Sequence, residues 1–352
     1  IGGKARKVKK MYIGDSSGKA RLCYSAELEK VGMATALSTT RYDMRAATVG
    51  KYALFAGGYI SKSSFGYSVS SSVDAYNTSL TKSTPTELSY KRCGHAAASV
   101  GGYALFAGGA SSHNFLGYGT LVSSVDAYDA SLTRSAAHII GATVAIGGAA
   151  VGNYALFAGG TVYSQINKDN VTSDVLAYDP SLTFTTAPLL SVARANVKGA
   201  SVGNYALFAS GRAGSFCTTV DAYNASLTRT TATALSSEEN RSAAATVGNH
   251  AIFVGNTASA DIYDASLTKT SAAILSTARN RLAATTVGDY AIFSGGGVAD
   301  FCDASLTRSS IGTSMTGYDM GAATIGDYAL FAGGHSGEKS DTAYDSVEVY
   351  TA

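Results

Sequence analysis

Four arginines recur at one place in a repeating chain. Arg41, Arg92, Arg194 and Arg279 each stand nine residues before a repeated glycine: Gly50, Gly101, Gly203 and Gly288. Guanidinium groups gathered at one end of a ring can hold a carboxylate or phosphate through paired hydrogen bonds. They can equally satisfy backbone carbonyls between repeats, and the sequence leaves both readings open. Tyr42 and Tyr318, in Tyr42-Asp-Met44 and Tyr318-Asp-Met320, flank the same position. The cysteines, Cys23, Cys93, Cys217 and Cys302, have no metal-ligand spacing and no sign of a disulfide framework. The histidines, His95, His113, His138, His250 and His335, fall in different repeats without a His-x-x-x-His pattern. His95 and His250 are expected on inner strands as packing residues, His113 and His335 on loops. No nucleophile, base and orienting group stand together, so the chain is read as non-catalytic, with no metal and no cofactor.

The elements that must position these residues are repeats. Gly50-Lys-Tyr-Ala-Leu-Phe-Ala-Gly-Gly58 returns almost unchanged at Gly101 to Gly109 and Gly152 to Gly160, then with variations at 203–211, 248–256, 288–296 and 326–334. Its phenylalanine lies at Phe55, Phe106, Phe157, Phe208, Phe253, Phe293 and Phe331, spaced 51, 51, 51, 45, 40 and 38 residues apart. A period of 40–50 residues marks a propeller or solenoid. Each unit reads as four short strands. The first is small-residue-rich, as in Ala46-Ala-Thr-Val49, and the second is Tyr-Ala-Leu-Phe, apolar on both faces. The third resembles Val73-Asp-Ala-Tyr76 and ends in a turn such as Asp129-Ala-Ser-Leu132, where Asp or Asn can bond its own backbone. The fourth is Thr-rich. The expected fold is all-β: a seven-bladed propeller of four-stranded antiparallel blades, which leaves no long exposed sheet edge. Ring closure should join the two ends of the chain, with Val347-Glu-Val-Tyr350 as the third strand of the last blade and Gly32 to Ser38 as its fourth. Arg21 to Tyr24 is assigned to a lead-in. The domains are thus 1–29, a basic arm, and 30–352, the ring.

Composition agrees. Charged residues make up 15% of the chain, against about 25% on average, and Gly, Ala and Tyr are abundant. Neither an intrinsically disordered chain nor a globally basic nucleic-acid binder has this make-up. No apolar run of 18 residues would span a membrane. The net charge of +2 conceals an asymmetry: residues 1–21 hold seven basic and one acidic side chain, leaving 20 basic and 24 acidic in the remainder. Gly3-Lys-Ala-Arg6 recurs as Gly18-Lys-Ala-Arg21, with Asp15 to Gly18 as a candidate hairpin turn.

An Arg before the first strand, Val-Gly, an aromatic strand, Gly-Gly and Tyr-Asp resemble the Kelch repeat of β-propellers, best at Arg92-Cys-Gly-His-Ala-Ala97 with Gly101 to Gly109. The family's Trp after the Tyr-Asp turn is absent, replaced by residues such as Ser83 and Thr230, and the glycine pair is lost at Gly255-Asn256. Copper-oxidase propellers of this kind need a Tyr, two His and a Cys-modified Tyr, and repeat register brings no such set together. Sialidase-type turns require a Trp that this chain lacks. The basic repeat Lys4 to Gly14 resembles segments of phage and prophage tail proteins, which would place the chain on a virion tail or cell surface.

In an antiparallel meander the loop after the second strand and the link between units emerge on one face. The former are long in copies one, two, three and seven, forming one contiguous arc. They carry Tyr59, Phe65, Tyr67, His113, Asn114, Phe115, Tyr118, Tyr163, Gln165 and Asn167 among Ser and Gly, the composition of adaptable recognition surfaces. These residues and the four arginines are the expected ligand-binding set. The expected function is recognition of a cell-surface glycan or protein by a tail-associated receptor-binding protein. Other tail or assembly proteins are the partners expected at the basic arm; no nucleic acid and no membrane insertion are expected, and self-association into a homo-oligomer is a further option. Alternatives are a carbohydrate-active enzyme with its site at the channel mouth, and a structural assembly protein.

Overall fold

A computed structural model describes residues 10–14, 20–25, 28–63, 66–114, 117–137, 141, 143–144, 146–162, 170–238, 241–337 and 342–352. Seven four-stranded antiparallel sheets stand around a central axis. Their inner strands are Arg45–Val49, Ala96–Val100, Gly147–Val151, Lys198–Val202, Arg241–Val247, Ala283–Val287 and Gly321–Ile325, in blades one to seven. Blades one to six run from inner to outer strand in chain order. The seventh takes its outer strand, Glu29–Met33, from the other end of the chain, paired with Val347–Thr351. Closure therefore follows the expected plan, but its strand lies earlier than Gly32 to Ser38. The reason is visible at Leu37 and Ser38: Leu37 is buried, and the Ser38 hydroxyl and amide bind the Asp74 carboxylate, so this stretch is the link into blade one. Ala20–Ser25 pairs with Lys10–Gly14 outside the ring, in keeping with a lead-in. The proposed turn at Asp15 to Gly18 lies outside the described residues.

The core is a stack of inter-blade layers. On the second strand, successive side chains point to opposite faces, so Leu54 meets Phe106 of the next blade while Phe55 meets Leu330 of the previous one. The same Leu-or-Ile against Phe contact repeats around the whole ring. Burying each such side chain contributes about 1.5–3 kcal/mol. Third-strand tyrosines meet the phenylalanines edge-on, as Tyr128 does Phe106 at 5.9 Å. Their hydroxyls reach back to the preceding link, Tyr128 to Thr86 O at 2.8 Å and Tyr223 to Pro188 O at 2.8 Å.

Around the far end of the channel, the penultimate residue of six of the seven inner strands donates its hydroxyl to the carbonyl of the matching residue in the preceding blade. Ser99 bonds Thr48 O at 2.7 Å, Thr48 bonds Thr324 O at 2.9 Å and Ser201 bonds Ala150 O at 2.6 Å. Thr246, Thr286 and Thr324 continue the series onto Ser201, Thr246 and Thr286. One step is missing: blade three has Ala150 at this position. The same end carries the Asx turns foreseen in the sequence. Asp129 Oδ1 accepts the amides of Ser131 and Thr133, each at 2.9 Å, and Leu132 takes a φ of 65°.

Candidate functional site

The recurrent arginines do not face a ligand. Arg41, Arg92 and Arg194 are wholly buried, and Arg279 nearly so. Each pairs with an acid on the third strand of its own blade: Arg92 with Asp126 at 2.7 Å, Arg194 with Asp221 at 2.9 Å, and likewise Arg41 with Asp74 and Arg279 with Asp300. Remaining donors bind carbonyls where the second strand ends and the third begins, as Arg92 Nη1 does Gly108 O at 3.1 Å and Ser124 O at 3.0 Å. Burial lowers the pKa of the Arg41 and Arg92 guanidiniums, and the aspartates oppose it. These arginines clamp the stems of the loops; the carbonyls they bind lie within their own blade and not between repeats, and the aspartate partner is one the sequence reading did not include. Gly109 supports the same junction. At a φ of +101°, an added Cβ would lie 2.7 Å from Cys93 O, so the backbone must be glycine to approach this closely.

Above the clamps, loops of blades one and two pair into an accessory sheet ordered Gly117–Tyr118, His113–Asn114, Gly66–Val69, Tyr59–Ser63. His113 lies opposite Tyr67 in it. Their rings stack at 4.9 Å with an interplanar angle of 22°. Beneath them is Tyr59, whose hydroxyl is 2.8 Å from His113 Nδ1 and whose ring lies 5.3 Å from Tyr67. Tyr59 in turn stacks on Tyr42 at 5.1 Å, and Tyr42 meets His335 at 4.6 Å. Backbone bridges Tyr42 to Tyr59 and Tyr318 to His335 hold these rings in place. Tyr42, Tyr59 and His335 are buried, so they form a floor, whereas Tyr67 and His113 are half-buried at its upper edge. Burial draws the His113 pKa below the ordinary imidazole value, and the Asp43 carboxylate partly restores it.

The floor ends at the mouth of the central channel. His335 Nε2 is 3.0 Å from Asp319 Oδ2, and Asp43, next to Tyr42, pairs with Arg45 at 2.8 Å. Asp43, Asn196, Arg281 and Asp319 hold the same place in four blades and all have φ between 51° and 59°, backbone that non-glycine residues seldom adopt. The Asp43 amide donates to Asp319 O and the Asp319 amide to Arg281 O, stitching blades six, seven and one. Inside lies a cavity of about 250 Å³, walled by small residues such as Ala46, Ala97, Gly148 and Gly199, with Arg45 and Lys198 as its charged members.

Of the expected ligand-binding set, Tyr59, Tyr67 and His113 come together, and Tyr42, Tyr318 and His335 join them. Asn114 and Tyr118 belong to the accessory sheet by their backbone. Phe65, Phe115, Tyr163, Gln165 and Asn167 lie outside the described residues. One expectation changes. His250 opens the second strand of blade five, at the position of Tyr52, rather than an inner strand. Repeat register brings no Tyr, Cys and His set together, but contact across blades does: Cys93 packs in the cluster of Tyr42 and Tyr59, with Tyr67 and the His113 stack above. Burial pushes the Cys93 thiol up to about 12, partly offset by the Tyr59 hydroxyl. Among the described residues, no three His, Cys, Asp or Glu side chains stand close enough to hold a metal. Sequence reasoning also passed over Tyr90, Leu189, Val192 and Phe216, which project from links and loops of this face and are 38–60% exposed. In comparison with known proteins, the chain matches no family model and no curated protein.

Proposed function

We propose that this chain is a recognition module of Kelch-repeat type that binds a cell-surface glycan through its loop face, as the host-adhesion protein of a phage or prophage tail. The observation that carries the binding role is the Tyr67–His113 stack at 4.9 Å, raised on a buried floor of Tyr59, Tyr42 and His335. Aromatic faces pack against the C–H faces of pyranose rings, and a preformed aromatic surface loses little conformational entropy on binding. Tyr90 and Phe216 are further exposed aromatic side chains on links and loops of this face. The tail setting is supported by the resemblance of Lys4 to Gly14 to tail-protein segments, and there the basic arm would carry the link to other tail proteins.

The test is a glycan array and host-cell binding assay with the whole chain, beside the variant Tyr67→Ala/His113→Ala. Loss of binding at an unchanged melting temperature is the expected result. Binding that survives the double substitution rejects this face, and binding to cells but to no glycan makes the receptor a protein.

A further inference from the structure

Three cations and two carboxylates stand around the loop-face mouth: Arg45, Lys198 and Arg281 against Asp43 and Asp319. Both acids are engaged. Asp43 takes Arg45 at 2.8 Å, and Asp319 takes His335 at 3.0 Å with Arg281 at 3.8 Å. Lys198 opens the inner strand of blade four and lines the cavity, and its side chain makes no hydrogen bond or ion pair with any described residue. The Lys198 side chain is part-buried, and the Asp43 and Asp319 carboxylates act on its charge only from a distance; an anion brought into contact with it would supply the ion pair it lacks.

We propose that the channel mouth receives the carboxylate of an acidic sugar, of the uronic or sialic acid class, with Lys198 Nζ as its counter-charge. The inference rests on the recognition reading above and deepens it. The space suits such a group. About 250 Å³ equals some eight water volumes of ~30 Å³, enough for a carboxylate and part of the ring bearing it. It stays open because the position three residues before the end of each inner strand is only ever Ala or Gly: Ala46, Ala97, Gly148, Gly199, Ala244, Ala284 and Ala322. Some of those glycines are required, since a Cβ on Gly148 would lie 2.5 Å from Ala97 O. The mouth and the aromatic stack are also within one ligand's reach. Arg45, paired with Asp43, lines the cavity with Lys198, and Tyr42, next to Asp43, stacks on Tyr59 beneath Tyr67, so an oligosaccharide could lay one ring on Tyr67 while its acidic residue enters the mouth. A carboxylate arriving there displaces no existing pair. Burial and the Arg45 charge lower the Lys198 amine to about 8, while Asp43 and Asp319 oppose the shift without an ion pair to it.

The experiment is calorimetric titration of the whole chain with the methyl glycosides of glucuronic acid and N-acetylneuraminic acid, each against its methyl ester. Wild type should prefer a free acid by tenfold or more. Lys198→Met should abolish that preference and Lys198→Arg should retain it; the arginine variant separates loss of charge from loss of fold. Equal binding of acid and ester, or a preference that survives Lys198→Met, overturns the carboxylate site and leaves the recognition reading standing. Absence of binding to either acid, while the array shows neutral glycans bound, overturns it as well. If neither the acids nor the array glycans bind, both readings fall.

Discussion

Arg92 and Asp126 form an ion pair, Nη2 to Oδ2 2.7 Å, inside the second blade with both side chains shut off from solvent. The outer strand adds Arg134, 2.9 Å from the other carboxylate oxygen, and the preceding link adds the Ser89 hydroxyl at 3.0 Å. Removing one member strands the others, which generally costs about 3–5 kcal/mol. Asp126→Ala should therefore destabilise the ring by an amount in that range in chemical denaturation.

Blade three shows how to dispense with the cluster. At the four matching positions it has Ile140, Thr143, Leu176 and Phe184 in place of Ser89, Arg92, Asp126 and Arg134. The fourfold variant Ser89→Ile/Arg92→Thr/Asp126→Leu/Arg134→Phe should recover most of the stability that Asp126→Ala loses, because no charge is left unpaired. A fourfold variant less stable than Asp126→Ala would show that the blades are not interchangeable here.

Ala150 interrupts the hydroxyl series around the far end of the channel. Ala150→Ser supplies a donor for Ser99 O and completes the circle. A hydrogen bond of this kind contributes about 1 kcal/mol net, so the melting temperature should rise. An unchanged or lower value would mean that the blade two to blade three spacing differs from the other six.

The fold was legible because the Phe of each repeat fixes blade number directly, and an incomplete last copy requires a strand from the other end. The arginines were ambiguous for a physical reason. Their acids lie 21 to 34 residues downstream on another strand, beyond loops of unequal length. A partial signal was present: every blade with the arginine has a third-strand acid, and the blade with Leu176 in place of the acid has Thr143 in place of the arginine, while blades five and seven keep Asp261 and Glu348 without it. Contacts such as Tyr42 with His335 join opposite ends of the chain and follow from ring closure, not from register. Lys198 would have emerged from reading the position four residues before the end of each inner strand, where Arg45 and Lys198 stand among Ala and Gly (Ala243 in the longer strand of blade five).

Two thiols should be inert in the folded protein. Burial pushes Cys93 and Cys302 up to about 12, from an ordinary value of 9.0. The thiolate is the reactive form, and a rise of three units leaves roughly a thousandfold less of it near neutral pH. Iodoacetamide at pH 8, followed by peptide mass mapping, should modify the half-exposed Cys217 well before either of them. Labelling of Cys93 at the rate of Cys217 would mean that the loop cluster over it opens readily.

Lys198 leaves a signature in the pH dependence of stability. Its folded value of about 8 lies below the ordinary 10.5, so between those two values the unfolded chain binds more protons than the folded one. Stability contributed by this residue therefore rises as pH increases from about 8 to 10.5, and the full penalty of the charged amine applies below 8. Lys198→Met removes that penalty and leaves a thioether in a cavity already lined by Met44 and Met320. The variant should melt higher than wild type at pH 7, with the gap narrowing by pH 10. Because an acidic sugar bound at Lys198 offsets the same penalty, it should raise the wild-type melting temperature at pH 7 and leave that of Lys198→Met unmoved. Equal melting temperatures for the two unliganded proteins across this range would mean that the ammonium is already fully solvated in the channel.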